Sequence, residues 1–195
     1  MPGLHDEPAR WPVTGSRDLH RDDWVVALRE DDVERPGHPG ESFPRLVVEH
    51  PGAVIVLAVD EDERVCCLRH YRHAAGGTFV ELPAGLRDTA GEDPLETAKR
   101  ELREEAELQA RSWRHLLTLR PSAGISSEEH VLFLARGLGH ADRGSFALLH
   151  EEAEMQLFWA PMADLLDAVL SGRVREAPTA AAVLAYDALS RRGAL

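Results

Sequence analysis

Residues Ala53 to Val59 form an unbroken apolar run, Ala-Val-Ile-Val-Leu-Ala-Val, in which four side chains are β-branched. Such a run is far too short to cross a bilayer as a helix, which takes roughly 20 residues. β-Branched side chains lose rotamer freedom in a helix and pack well on a pleated surface. With no polar residue on either alternating face, the run reads as a strand covered on both sides. A chain built on such a strand needs a layer above it and a layer below. The clearest candidate for one layer is Pro94 to Leu108. There Leu95, Ala98, Leu102 and Ala106 recur at spacings of three and four and make one apolar stripe. Pro94 suits a first helical turn, where its missing N–H is not needed.

Weaker patterns fill in the rest. Trp24 to Leu28 and Leu46 to Val48 are expected strands joined through the turn-rich Arg35-Pro-Gly-His-Pro-Gly40. Asp60 to Glu63 is a polar turn, and Val65 to Tyr71 the returning strand. Ala75-Gly76-Gly77 is another turn, before a short strand from Thr78 to Leu82. Trp113 to Leu119, Val131 to Ala135 and Leu157 to Trp159 read as further strands, and Met162 to Leu170 and Thr179 to Arg191 as helices. Residues 1–10 are expected to fray. The order of strands, helix, strands, helices predicts an α+β fold with a mixed sheet packed by helices, not a regular βαβ alternation.

The formal net charge is −12. A field of that sign opposes nucleic acid and anionic membrane, so neither is an expected partner. An anionic small molecule would need a local cation. The N-terminal MPGLHDEPARWP has acids and prolines and no apolar core, so no signal peptide is expected, and the expected compartment is the cytoplasm. Cys66 and Cys67 are adjacent within an apolar run and show no metal spacing. They are expected to be buried thiols in a reducing compartment.

The chemistry concentrates between Glu81 and Leu108. From Glu92 to Glu107 there are seven acids (Glu92, Asp93, Glu96, Glu101, Glu104, Glu105, Glu107) against three bases (Lys99, Arg100, Arg103). On one helix Glu101, Glu104 and Glu105 share a side of the last turns. The plain reading is a solvated acidic face with Arg100 and Glu104 as an ion pair. The other is that converging carboxylates are neutralised by a hard divalent cation, and Mg²⁺ prefers such oxygens together with waters and phosphates.

The spacing favours the second. Arg100-Glu-Leu-Arg-Glu-Glu105, with Glu92 upstream and Gly85 before that, resembles the Nudix box; Glu92, Arg100, Glu101, Leu102, Glu104, Glu105 and Leu108 match in register. Two positions depart. The loop from Gly85 to Glu92 is one residue longer, and Glu107 stands where the box has a helix-ending glycine. If residue 107 is left-handed, glutamate there costs about 1 kcal/mol, and a glycine is expected to restore it with equal or better activity. Tyr71-Arg72-His73, Phe79-Val-Glu-Leu-Pro-Ala-Gly85 and His150-Glu-Glu-Ala-Glu-Met155 extend the likeness to the ADP-ribose pyrophosphatase branch of the Nudix hydrolases, over roughly residues 11–190.

The resemblance implies an α/β/α sandwich around a mixed sheet for residues 46–195, with residues 1–45 as a β-rich arm that helps form a homodimer. It implies Mg²⁺, or Mn²⁺ in its place, held by Glu101, Glu105, Glu104 (directly or at one remove) and the backbone carbonyl of Ala84. Arg100 would orient the glutamates, and Glu92 would either tie the loop to the helix or lie on the surface. A general base would come from a loop read as Gly137 to Glu152, with Glu152 preferred and Glu151 second. Arg72 would be the local cation for the substrate, and Glu81 would accept hydrogen bonds from an adenine amino group or a ribose. His70 and His73 lack a third ligand and are read as non-metal. The implied reaction is hydrolysis of a nucleoside diphosphate sugar, with ADP-ribose giving AMP and ribose 5-phosphate. The alternatives are another nucleoside diphosphate derivative, or a non-catalytic nucleotide sensor on the same fold.

Overall fold

The computed structural model describes residues 3–195. It divides the chain into two units, one of the residues up to His50 with Ser122–Glu128, the other of Pro51–Pro121 with Glu129–Leu195. Residues 3–12 carry no helix or strand, and the first two residues of the expected fraying terminus lie outside the described residues.

The first unit is an antiparallel sheet of β1 (Val13–His20), β2 (Ala27–Glu34) and β3 (Ser42–Glu49), in that order. The Pro-Gly turn does join β2 to β3: Arg35 N–H donates to Glu41 O at 3.0 Å, and Gly37 and Gly40 take positive φ of 78° and 87°. The expected strand at Trp24 to Leu28 is displaced. The Trp24 N–H donates to the Asp22 carboxylate at 2.9 Å, which makes a turn, and the strand starts only at Ala27. β1 has almost no buried position, so it shows no hydrophobic alternation. Polar cross-strand pairs mark its register instead, with Arg17 on Glu30 at 2.8 Å and Ser16 on Asp31 at 2.7 Å. Ser122–Glu128 closes the unit beside β3, where Val48 exchanges backbone bonds with Ile125 and Ser127 at 2.8 and 3.0 Å.

The second unit is built round the apolar run. β4 (Ala53–Ala58) is followed by β5 (Arg64–Arg72), β6 (Gly77–Glu81), β7 (Ala84–Leu86), α1 (Pro94–Ala106), β8 (Leu108–Leu119), β9 (His130–His140), β10 (Gln156–Pro161), α2 (Met162–Leu170) and α3 (Ala177–Arg191). One sheet has the order β7-β4-β9-β8 and the other β10-β5-β6. β4 runs parallel to β9 and antiparallel to β7, so the first sheet is mixed. Alternate residues of β4 serve opposite layers. Val54, Val56 and Ala58 cluster with Ala98, Leu102 and Ala106 of α1, while Ile55 and Leu57 cluster with Leu165 of α2 and Ala182, Val183 and Tyr186 of α3. This is the expected α/β/α layering. Cys66 and Cys67 split between the same two clusters as buried free thiols, and burial pushes both up to about 12. Among the described residues no helix is long and apolar enough to cross a membrane.

Gly137, Gly139 and His140 were expected to begin a loop. They continue β9 instead, pairing with β8 as far as Leu108 opposite His140. The loop proper is shorter, from residue 141 to 149, and ends in a 3-10 turn at His150–Glu154.

Candidate active site

Three neighbouring elements build the site: the end of β6, the short β7, and the last two turns of α1. Pro83 O accepts from Val56 N–H at 2.8 Å and Ala84 pairs with Ile55, so the connection to β7 is pinned along β4. α1 starts where the Asp93 carboxylate accepts from Leu95 N–H at 2.8 Å, a side-chain cap on an otherwise free donor. It ends at Glu107, whose φ of 53° and ψ of 38° are left-handed, as the box glycine would be.

Between these ends, Glu101, Glu104 and Glu105 are turned inward and are only 8–9% exposed. Glu105 accepts from Ala84 N–H at 2.8 Å. Ala84 thus meets the cluster through its N–H. Arg100 donates to Glu101 at 2.7 Å and to Glu104 at 3.3 Å, and lies 3.4 Å from Glu92. Glu92 also accepts from the buried hydroxyl of Thr97 at 2.9 Å, which ties the loop to the helix.

The electrostatics are unbalanced. Burial pushes the Glu101 carboxyl up to about 7 against the opposing pull of Arg100. Burial lifts Glu105 well above the carboxylate range, and the charges of Glu101 and Glu152 add to the lift. Among the described residues no three His, Cys, Asp or Glu side chains form a ready-made metal cage. The donor set nonetheless fits a hard divalent cation: several buried carboxylates, hard oxygens throughout, and Arg100 as the cation bonded to two of them.

Glycine at 85 is a steric requirement. A Cβ there would lie 2.5 Å from Glu101 Cγ and closer still to its carboxylate. The sequence marks Gly85 as part of the box but not this contact.

On β5 and β6, Arg72 grips Glu81 with both arms of its guanidinium, Nε at 3.0 Å and Nη2 at 2.7 Å. His70 Nδ1 lies 3.6 Å from the same carboxylate, and His70 itself is buried. Glu81 is 5% exposed, whereas the Arg72 side chain is about half exposed. The Glu81 oxygens thus already serve Arg72 and His70, a contact that orients the arginine. His73 hydrogen-bonds to the Tyr71 hydroxyl at 3.2 Å.

The 3-10 turn separates the two candidate bases. Glu152 is half-buried and its charge reaches both Glu101 and Glu105, whereas Glu151 is exposed. Sequence reasoning missed Arg143, which stands over the end of α1. Its Nε is 3.6 Å from Glu107 Oε1 and its Nη2 donates to Glu105 O at 3.5 Å. The signal that would have found it is Glu107 itself, an anion placed at the negative end of a helix.

The NUDIX domain profile matches residues 49–182. An ADP-ribose pyrophosphatase of Mycobacterium tuberculosis (strain ATCC 25618 / H37Rv) is 43% identical over 166 residues, covering 85% of this chain and 78% of that protein. A CMP-5'-(N-acetyl-N-hydroxy-3-aminopropyl)phosphonate hydrolase of Streptomyces rubellomurinus (strain ATCC 31215) is 36% identical over 176 residues, covering 90% and 82%. Among solved structures, that of an ADP compounds hydrolase superposes with a TM-score of 0.76 at 18% identity, covering 98% of this chain and 100% of that one, which supports the fold. With the profile spanning more than half of the chain and relatives alike over most of their length, the chain belongs to the Nudix hydrolase family.

Proposed function

We propose that this chain hydrolyses the pyrophosphate bond of a nucleoside diphosphate sugar, with ADP-ribose as the first substrate to test and AMP and ribose 5-phosphate as products. The observation that carries the reading is the buried set of Glu101, Glu104 and Glu105 at the end of α1. The Mycobacterium relative supports the choice of sugar nucleotide. Glu101 and Glu105 would hold a divalent cation, Mg²⁺ first and Mn²⁺ second, with Glu104 and the Ala84 carbonyl completing the set. Such a cation, when bound, polarises phosphate oxygens and offsets negative charge as the transition state forms.

The chain's own residues do the rest. Arg100 fixes the rotamers of Glu101 and Glu104 through charge-assisted hydrogen bonds. Glu81 and His70 hold the Arg72 guanidinium in one orientation, and its exposed side meets the substrate's phosphates within a field of −12. Glu152 takes a proton from the attacking water. The water oxygen bonds to one phosphorus, the bridging P–O bond breaks, and the leaving phosphate keeps the electron pair. Residues 1–45 are assigned to a homodimer contact, in keeping with Trp11, Val13, Leu19, Trp24 and Val25 lying exposed; sedimentation as a monomer would remove that assignment.

A second reading has its own support. The Streptomyces relative acts, by its name, on a CMP-linked phosphonate, so another nucleotide derivative is the alternative substrate class. A panel of nucleotide sugars, scored by phosphate released after alkaline phosphatase with and without Mg²⁺, distinguishes the two. ADP-ribose is expected to lead, and only with metal. Turnover of a cytidylyl compound alone would move the substrate. Binding of ADP-ribose with no product in Mg²⁺ or Mn²⁺ would favour the sensor.

A further inference from the structure

The departure at Glu107 has a partner across the chain. A left-handed residue is cheap for glycine and costly for glutamate, so Glu107 needs a compensating contact. Arg143 supplies it. Its buried Nε faces the Glu107 carboxylate at 3.6 Å, an ion-pair distance without a hydrogen bond, and its Nη2 reaches the carbonyl of Glu105 at 3.5 Å. One guanidinium therefore meets a carboxylate and a carbonyl at the negative end of α1. A backbone bond from Ala141 N–H to Glu107 O at 2.8 Å begins the same attachment.

Arg143 lies in the segment between β9 and the 3-10 turn that carries Glu152. Arg143 and Leu148 of that segment, with Met155 just after the turn, line a cavity of about 350 Å³, together with Glu105, Glu107 and Leu108. The segment thus spans from the helix end to the base side of the site, and the ion pair fixes its first half.

Resting on the hydrolase reading above, we propose that Glu107 and Arg143 form a latch that positions Glu152 for proton transfer, making both of them positioning residues. A glycine at 107 would lack the carboxylate that holds Arg143. This reverses the expectation that glycine at 107 leaves activity equal or better.

The test measures kcat, KM and thermal stability for Glu107→Gly, Arg143→Gln, their double variant and Arg143→Lys, with ADP-ribose and Mg²⁺. An ion pair of this kind holds the segment in place by about fivefold, or roughly 1 kcal/mol at 1.36 kcal/mol per tenfold. Each single variant is expected to lose about fivefold in kcat with KM within about twofold. The double variant is expected to lose no more than either single, and Arg143→Lys to keep most of the rate. The melting temperature of Glu107→Gly is expected to hold or rise, because the left-handed strain is relieved while the rate falls. A fall in both rate and melting temperature would mean a merely structural role and overturn the latch. In a Glu152→Gln background the latch variants are expected to add nothing. Near wild-type kcat in Glu107→Gly and Arg143→Gln, with Glu152→Gln slow, would overturn the latch and leave the base assignment intact. Near wild-type kcat in Glu152→Gln would overturn the base assignment, and with it the latch's purpose.

Discussion

Adding one methyl group at residue 85 should disable the site while leaving the chain folded. Gly85 pairs with Val54 in the sheet and has ordinary backbone dihedrals, so alanine carries no conformational penalty there. The obstacle is steric. The new Cβ would sit 2.5 Å from Glu101 Cγ, more than 1 Å inside ordinary contact, and closer to the carboxylate itself. Glu101 must swing away and lose its 2.7 Å bond from Arg100. A charged hydrogen bond of this kind is worth about 1.5–3 kcal/mol, and overpacking costs about 1–3 kcal/mol. Part of that is returned, because Glu101 leaves a buried place where its carboxyl stands at about 7. The net expectation for Gly85→Ala is about 2 kcal/mol of lost stability by denaturant titration. Loss of one oriented carboxylate is expected to lower kcat at saturating Mg²⁺ about 100-fold, near 2.7 kcal/mol at 1.36 per tenfold. Gly139→Ala is the control, since its Cβ would meet only Gln109 at 3.9 Å. Wild-type kcat and Mg²⁺ requirement in Gly85→Ala would refute the packing of Glu101 against the glycine.

Other substitutions separate charge from shape. Glu105→Gln and Glu101→Gln are expected to lower turnover by orders of magnitude while metal-free thermal stability holds or rises, because burial opposes the ionised form of each and a neutral amide avoids that cost; two active variants would dismiss both as ligands. The pairing with His70 and Arg72 outweighs burial and holds Glu81 below the usual carboxylate range. Its contribution to stability is therefore fully present above pH 4.5 and lost as the pH falls through its depressed folded value. Glu81→Gln is expected to be less stable than wild type at pH 7, with the gap narrowing in acid; a gap independent of pH would count against the ion pair. The thiols of Cys66 and Cys67, pushed up to about 12, are expected to resist a disulfide reagent at pH 8 until guanidinium unfolds the chain, when two thiols react.

The core was the most legible part of this sequence. β4 could be read from residues 53–59 because both its faces are buried, and α1 because its stripe of Leu95, Ala98, Leu102 and Ala106 packs on a single layer. β7 could not be read, since three residues with a glycine at the centre show no period. β1 failed for the opposite reason: an exposed strand held by ion pairs has no apolar face to betray it, while the start of β2 was misplaced because the apolar Trp24 and Val25 lie in a turn made by Asp22. Gly137 and Gly139 looked like strand breakers and lie instead inside a paired edge of β9. At the site, the carboxylates that follow one another on α1 were legible from their spacing together with the resemblance to the Nudix box. Contacts from elsewhere in the chain were not, among them the Glu81 carboxylate under Arg72 and Arg143 over the end of α1.

Hydrolysis of ADP-ribose in ¹⁸O-labelled water with Mg²⁺, followed by mass spectrometry of both products, tests the proposed reaction most directly. Attack by one water at one phosphorus puts one label into one product. On the proposal that Arg72 holds the nucleotide half, the label is expected on the phosphate of AMP and absent from the phosphate of ribose 5-phosphate; label at the sugar's C1 oxygen is exchange with solvent and is not scored. Label on the phosphate of ribose 5-phosphate would overturn the substrate pose and keep the reaction. Release of ADP and ribose in place of AMP and ribose 5-phosphate would contradict pyrophosphate hydrolysis itself.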